Sequence, residues 1–164
     1  MNNQLRIIAA VIAIAAGAAT LHAQPKIGSI GFGLMLGEPT GITLKGSLQG
    51  NNAWDMAIGT SWFGNVTIQA DYLWNANVFN SNKAGLYFGV GGALGIGNGK
   101  GIVIKNDDDD EKKETAVGVR GVAGFNTVPF SSPIEFFFEI DPILSFAPSI
   151  GLNFMGAIGV RYYP

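Results

Sequence analysis

Most nucleophilic and metal-based enzyme chemistry uses histidine or cysteine, and this 164-residue chain has one His and no Cys. The histidine, His22, falls in an N-terminal segment that reads as a cleaved leader, so the mature chain is expected to contain neither residue. A Ser-His-Asp or Cys-His relay needs an imidazole base, and the usual zinc sites need His or Cys ligands. That leaves carboxylates. Glu135, Glu139 and Asp141 share one face of an extended segment, a spacing that would allow a two-carboxylate hydrolase. The simpler reading of the same residues is interior ion pairing, because charges taken out of water need partners. No catalytic residue is assigned, and the chain is expected not to be an enzyme.

Two other stretches invite a ligand. The run Gly89-Val-Gly-Gly-Ala-Leu-Gly-Ile-Gly-Asn-Gly-Lys-Gly101 is glycine-rich. It has neither a strict GxGxxG nor a GK followed by Ser or Thr, so it is not read as a phosphate cradle. Asp107, Asp108, Asp109 and Asp110, followed by Glu111 and Glu114, form an acidic run that could attract a divalent cation. It lacks the ligand spacing and central glycine of an EF-hand loop. A solvated loop tip is the preferred reading, and the four aspartates stay as a weak metal candidate. No cofactor is expected. The net charge of −2 and the lack of a basic patch argue against nucleic acid as a partner.

The elements that must carry these residues follow from composition. Hydrophobic residues make up 48% of the chain and charged residues 13%. After residue 23, however, no apolar run reaches the roughly 20 residues of a spanning helix. The 24 glycines recur inside apolar segments, which disfavours helix. Arg6, the apolar stretch Ile7 to Ala19 and the small residue Ala23 compose a secretory signal peptide. The expected division is therefore 1–23 signal peptide and 24–164 a single domain.

From residue 26 onward the hydrophobic pattern has period two, in segments of about ten residues. Eight strands are predicted: 27–37, 41–49, 53–63, 66–75, 84–97, 115–125, 134–141 and 150–163. In each, one face is apolar throughout. Every strand charge, namely Lys45, Asp55, Asp71, Arg120, Glu135, Glu139, Asp141 and Arg161, falls on the other face. A soluble barrel puts its apolar residues inside. Here large apolar residues occupy one face of all eight strands, more than a small interior can hold, so that face is assigned outward to lipid. A sheet in lipid must close on itself to satisfy its backbone. The fold class expected is all-β, a closed eight-stranded antiparallel up-and-down transmembrane β-barrel.

Trp54, Trp62, Tyr72, Trp74 and Tyr162 lie near strand ends on the outward face and are expected to form aromatic girdles. Eight strands leave an interior that side chains fill. The lumen ion-pair network is assigned to Lys45, Asp71, Arg120, Glu135, Glu139 and Arg161. Arg120 is expected near Glu139, Arg161 near Glu135, and Lys45 across from Asp71. Asp55 and Asp141, nearer the ends, are expected to face water or a cation.

The whole mature region resembles the small eight-stranded outer-membrane barrels of the OmpA and OmpX transmembrane-domain type. More narrowly, Gly33-Leu-Met-Leu-Gly-Glu-Pro-Thr-Gly-Ile-Thr-Leu-Lys45, Ala70-Asp-Tyr-Leu-Trp74 and Gly159-Val-Arg-Tyr-Tyr163 resemble a largely uncharacterised group of outer-membrane barrels. The last strand is similar to the aromatic terminal signal read by the outer-membrane assembly machinery, though it ends in Pro164. The resemblance implies a bacterial outer-membrane location. Its implied partners are outer-membrane lipid, lipopolysaccharide and the assembly machinery. The phospholipase, protease and lipid A acyl-modifying barrels of that membrane use histidine, which the mature chain lacks. The leading expectation is a non-enzymatic barrel with a structural, envelope-integrity or surface-interaction role. The alternative is a narrow pore or small-ligand transporter, and third comes an enzyme acting on envelope lipid.

Overall fold

The computed structural model describes residues 28–76, 83–97, 115–129 and 133–164. Residues 1–23, expected to be a signal peptide, and the acidic run Asp107–Asp110 lie outside the described residues. Eight strands follow one another along the chain: β1 Ile30–Gly37, β2 Thr40–Ser47, β3 Asn52–Ser61, β4 Gly64–Ala76, β5 Ala84–Ile96, β6 Thr115–Thr127, β7 Ile134–Ala147 and β8 Gly151–Tyr162. Each pairs antiparallel with its neighbours in sequence, and β1 pairs with β8, closing an up-and-down barrel. The all-β architecture and the strand number are those that the period-two pattern predicts.

The register fixes the tilt. A path of paired residues from Ile30 passes through Gly46, Trp54, Tyr72, Val90 and Gly121. Gly121 stands opposite Pro142, between the pairs Arg120–Ile143 and Ala123–Ile140, and Pro142 pairs with Phe154. Phe154 lies three residues past Ala157, the partner of Gly37. The path thus returns at the level residue 40 would hold on a straight β1, ten residues from its start. A stagger of this size in eight strands goes with a tilt of about 40°.

Side chains alternate in and out along every strand. In β7, for example, Glu135, Phe137, Glu139, Asp141, Ile143 and Ser145 are buried, while Phe136, Phe138, Ile140, Leu144 and Phe146 are exposed. An apolar cluster of Phe63, Ala93, Ala116, Ile143 and Met155 closes the interior at the end where the β1–β2, β3–β4 and β7–β8 turns lie. Lower down, Met35, Ala57, Phe137 and Ala157 pack on one side, and Ala53, Leu73, Tyr87 and Val122 on the other. Inward rings lie over glycines on the next strand, as Tyr163 does over Gly31. A Cβ at Gly124 would meet the Tyr87 ring, and one at Gly159 would meet the Phe137 ring. A missing side chain on one strand thus makes room for an aromatic on its neighbour.

Two differences from the sequence reading change the course of the chain; the other strand ends shift by three residues or fewer. β7 does not stop at Asp141 but runs on through Pro142 to Ala147. Proline has no N–H for a ladder and so argues against mid-strand placement. Here Pro142 points outward at a gap in the β6–β7 register, and period two resumes beyond it. Second, the β3–β4 turn falls at Trp62-Phe63 rather than at Gly64-Asn65. Side-chain oxygens and hydroxyls tighten it: the Phe63 N–H donates to Ser61 Oγ at 3.0 Å, and Thr67 Oγ1 donates to the Gly64 carbonyl at 3.1 Å.

Candidate functional site: a charged barrel interior

Period two places eight charged side chains inside the ring, on every strand except β1 and β5. Arg161, on β8, is fully buried and is the centre of the lower half. Its guanidinium lies 3.7 Å from the centroid of the Phe137 ring. It donates to Thr43 Oγ1 through Nε at 3.1 Å and through Nη2 at 3.0 Å. It also forms a short ion pair with Asp55 and lies 3.5 Å from Glu135 and 3.6 Å from Glu139. Glu135 is shared further. Lys45 Nζ donates to it at 3.0 Å, Asn126 Nδ2 donates at 3.2 Å, and the Tyr163 hydroxyl donates to its other oxygen. Lys45 also stands 4.5 Å over the Tyr87 ring, whose hydroxyl donates to Glu139 at 2.7 Å.

The upper half is organised by Arg120 on β6. Its Nε lies 3.2 Å from Asp71, and its Nη2 lies 3.1 Å from Asp141 and 3.8 Å from Glu139. Among the described residues, Arg120 Nε and Nη1 and both Asp141 oxygens meet no partner in hydrogen-bond alignment. Attraction here is between charges rather than through aligned donors. Three cations thus hold five carboxylates, and each carboxylate has a cation within 4 Å.

The assigned network residues Lys45, Asp71, Arg120, Glu135, Glu139 and Arg161 therefore all line the interior; Arg120 meets Glu139 at 3.8 Å and Arg161 meets Glu135 at 3.5 Å as expected, and the third pairing differs. Lys45 does not meet Asp71. It reaches Glu135 on β7, because Asp71 is taken by Arg120. Asp55 and Asp141 do not face water. Both are buried, on Arg161 and Arg120 respectively. The ten-residue stagger is the reason: it lifts or lowers each strand's charges against residues that a simple count of strand ends does not align. Thr43, Tyr87 and Tyr163 complete the network as hydroxyl partners. Their parity matches Lys45, Gly89 and Arg161, which was the available signal.

Trp54, Tyr72, Trp74 and Tyr162 lie on the outward face at one rim, the end where β8 finishes. Trp54 pairs across the ladder with Tyr72, the Tyr72 and Trp74 rings meet edge-on at 5.2 Å, and Tyr162 meets Phe32 edge-on at 5.8 Å. Trp62 departs from this belt. It sits in the β3–β4 turn at the opposite rim, edge-on to Phe63 at 5.6 Å, and packs partly against the closing cluster. Its backbone N–H donates to Glu38 of the β1–β2 turn at 2.8 Å.

Chemically, the interior binds its own side chains. Among the described residues no group of three or more His, Cys, Asp or Glu is placed to hold a metal ion. Glu135, Glu139 and Asp141 do share a face, but each is occupied by arginine, lysine or tyrosine. Comparison of the chain with protein-family models, with curated proteins and with solved structures finds no match, so its reading rests on the barrel itself.

Proposed function

We propose that this chain is an integral barrel of a bacterial outer membrane, exported by its signal segment, with a non-enzymatic role in envelope structure or surface interaction. One observation carries the reading. All eight strand charges point inward, while the exposed outward positions include Phe32, Leu34, Ile58, Val90, Val119, Phe138 and Ile140. In water this surface would be an aggregation liability of unusual size. In lipid it is the required one, since a charge on a barrel's lipid face destabilises by about 2–4 kcal/mol near the midplane.

Outer-membrane lipid, lipopolysaccharide and the assembly machinery are the partners in this reading, with no cofactor and no nucleic acid. The closing apolar cluster and the crossed ion pairs leave the interior filled, which favours a structural role over the narrow pore. An envelope-lipid enzyme is disfavoured because its candidate carboxylates already hold cations. The test is electrophoresis in detergent with and without heating, together with carbonate extraction of membranes. A heat-dependent mobility shift and retention in the membrane pellet are expected. A soluble protein without a shift would overturn the reading. Reproducible single-channel openings in planar bilayers would overturn the filled, non-conducting interior.

A further inference from the structure

Seven of the ladders join consecutive strands. The eighth, β1 with β8, joins strands from opposite ends of the sequence, so no turn sets its register. It has six residue pairs, from Phe32–Tyr162 to Gly37–Ala157. A slip of one residue is excluded by parity, because every side chain would change face. A slip of two keeps every face and changes only the stagger, so parity does not exclude it. The residues that exclude it are on the inward faces of the two strands.

Those faces are complementary in size. On β1 the inward positions are Gly31, Gly33, Met35 and Gly37. On β8, Arg161 pairs with Gly33, Gly159 with Met35 and Ala157 with Gly37, and Tyr163 follows against Gly31. A Cβ on Gly31 would lie 2.5 Å from the Tyr163 ring, and one on Gly33 would meet the backbone of Val160 and Arg161. Two bulky residues of β8 thus lie over two glycines of β1 at the same spacing. Both ends of the glycine pair are blocked. Above it, Met35 is buried among Ala57, Phe137 and Ala157. Below it, Ser29 continues the β1–β2 ladder, its carbonyl accepting from the Ser47 N–H at 3.0 Å. Sliding β8 by two residues toward the β1–β2 turn sets Arg161 against Met35. Sliding it the other way sets Tyr163 against Ser29. Either slide drives a large side chain into an occupied position. Polar contacts favour the observed register too. Gly33 pairs with both Arg161 and Thr43, so the three form one row. Along that row Arg161 reaches across β1 to Thr43 at 3.1 and 3.0 Å, and on to Asp55 of β3. From the other side, Lys45 of β2 reaches Glu135 of β7 at 3.0 Å.

We infer that Arg161 and Tyr163, received by Gly33 and Gly31, are a register key by which the β1 edge recognises the β8 edge of its own chain and closes the ring at this stagger. Only the closed barrel is needed for this, whether its outside meets lipid or water. Each residue of the key blocks one direction of slip, and that makes the test directional. The chain has no cysteine, so cysteine pairs can be introduced at outward positions without touching the key. Leu34→Cys is combined with Val160→Cys, the native partner, with Tyr162→Cys or with Ile158→Cys. A disulfide needs Cα atoms within about 7 Å, so a diagonal pair does not form one. Each pair is placed in the full chain with the key intact, with Arg161→Ala and with Tyr163→Ala. The proteins are folded in detergent, and linked monomers are counted by non-reducing electrophoresis and mass spectrometry. With the key intact, linkage is expected between 34 and 160. Arg161→Ala should raise linkage between 34 and 162 about tenfold and leave 34–158 unchanged, because the clash with Met35 is gone. Tyr163→Ala should raise 34–158 by about the same factor and leave 34–162 unchanged, because the clash with Ser29 is gone. Should Arg161→Ala fail to fold, Tyr163→Ala decides alone. Linkage confined to 34–160 in the variants overturns the key. An equal rise of both slipped pairs in one variant also overturns it, since loss of stability alone has no direction. Disulfide-linked dimers in place of linked monomers overturn recognition within one chain.

Discussion

Replacing Arg161 by methionine removes the charge that most of the lower network leans on. The side chain volume is nearly kept, so the effect isolates electrostatics from cavity formation. In the wild-type chain Arg161 contacts Asp55, Glu135 and Glu139 and donates twice to Thr43. Glu135 retains Lys45 and Glu139 retains Arg120 and the Tyr87 hydroxyl, so each loses one of several partners. Among the described residues Asp55 loses its one ion-pair partner and keeps the Thr43 hydroxyl, at 3.1 Å. Removing one member of a buried pair destabilises by about 3–5 kcal/mol. The contact with the Phe137 ring adds roughly 1 kcal/mol. Loss of about 4–6 kcal/mol is expected. With a urea slope of roughly 2 kcal/mol per molar, the unfolding midpoint in lipid vesicles, read by tryptophan fluorescence, should fall by about 2–3 M. Pairing this change with Asp55→Asn should recover about 1–2 kcal/mol, since the stranded carboxylate is then neutral. A loss below about 1 kcal/mol in the single variant, or no recovery in the double, would refute the assignment of Arg161 as the organiser of the interior.

Ile140→Lys puts a charge on the outward face of β7, where Ile140 is about half exposed. It should destabilise by about 2–4 kcal/mol in vesicle unfolding if that face meets lipid, and by under about 0.5 kcal/mol if it meets water. Gly159→Val would drive a side chain into the Phe137 ring and should lower stability by about 1–3 kcal/mol, whereas the same change at Gly50, an open turn position, should act only through its left-handed backbone. Tyr87→Phe deletes the hydroxyl bonded to Glu139 and should lose about 1.5–3 kcal/mol in the same assay.

Strand number, inward parity and the ring closure are legible in the sequence because period two is strict. One face of each segment is apolar, and a one-residue slip would expose Lys45 or Arg120. Vertical alignment is legible only in part: Arg120 with Glu139 and Arg161 with Glu135 follow from strand ends, and Lys45 with Glu135 does not. Which inward residue meets which depends on the stagger accumulated over eight ladders, and no single hairpin carries that information. Hence Lys45 finds Glu135, ninety residues away, instead of Asp71. The turn at Trp62-Phe63 is not legible for a local reason. Gly64-Asn65 has the better turn composition, but the hydroxyls of Ser61 and Thr67 close the chain two residues earlier. Pro142 works in the opposite direction: its missing N–H predicts a strand end, yet β7 passes through it at a gap in the ladder.

On the membrane reading proposed above, the gathering of four outward aromatics at one rim has a mechanical consequence. Trp54, Tyr72, Trp74 and Tyr162 are all on the side where β8 finishes, and the far rim exposes Ile150, Leu152 and Phe154, with Trp62 packed partly against the closing cluster. Interfacial aromatics hold a fixed depth, whereas aliphatic side chains and Phe follow the hydrocarbon. In a bilayer of changing thickness this molecule would keep its footing on one leaflet and take up the mismatch on the other. Thinning would uncover the aliphatic rim first, so the anchored side acts as a datum from which the opposite surface is measured.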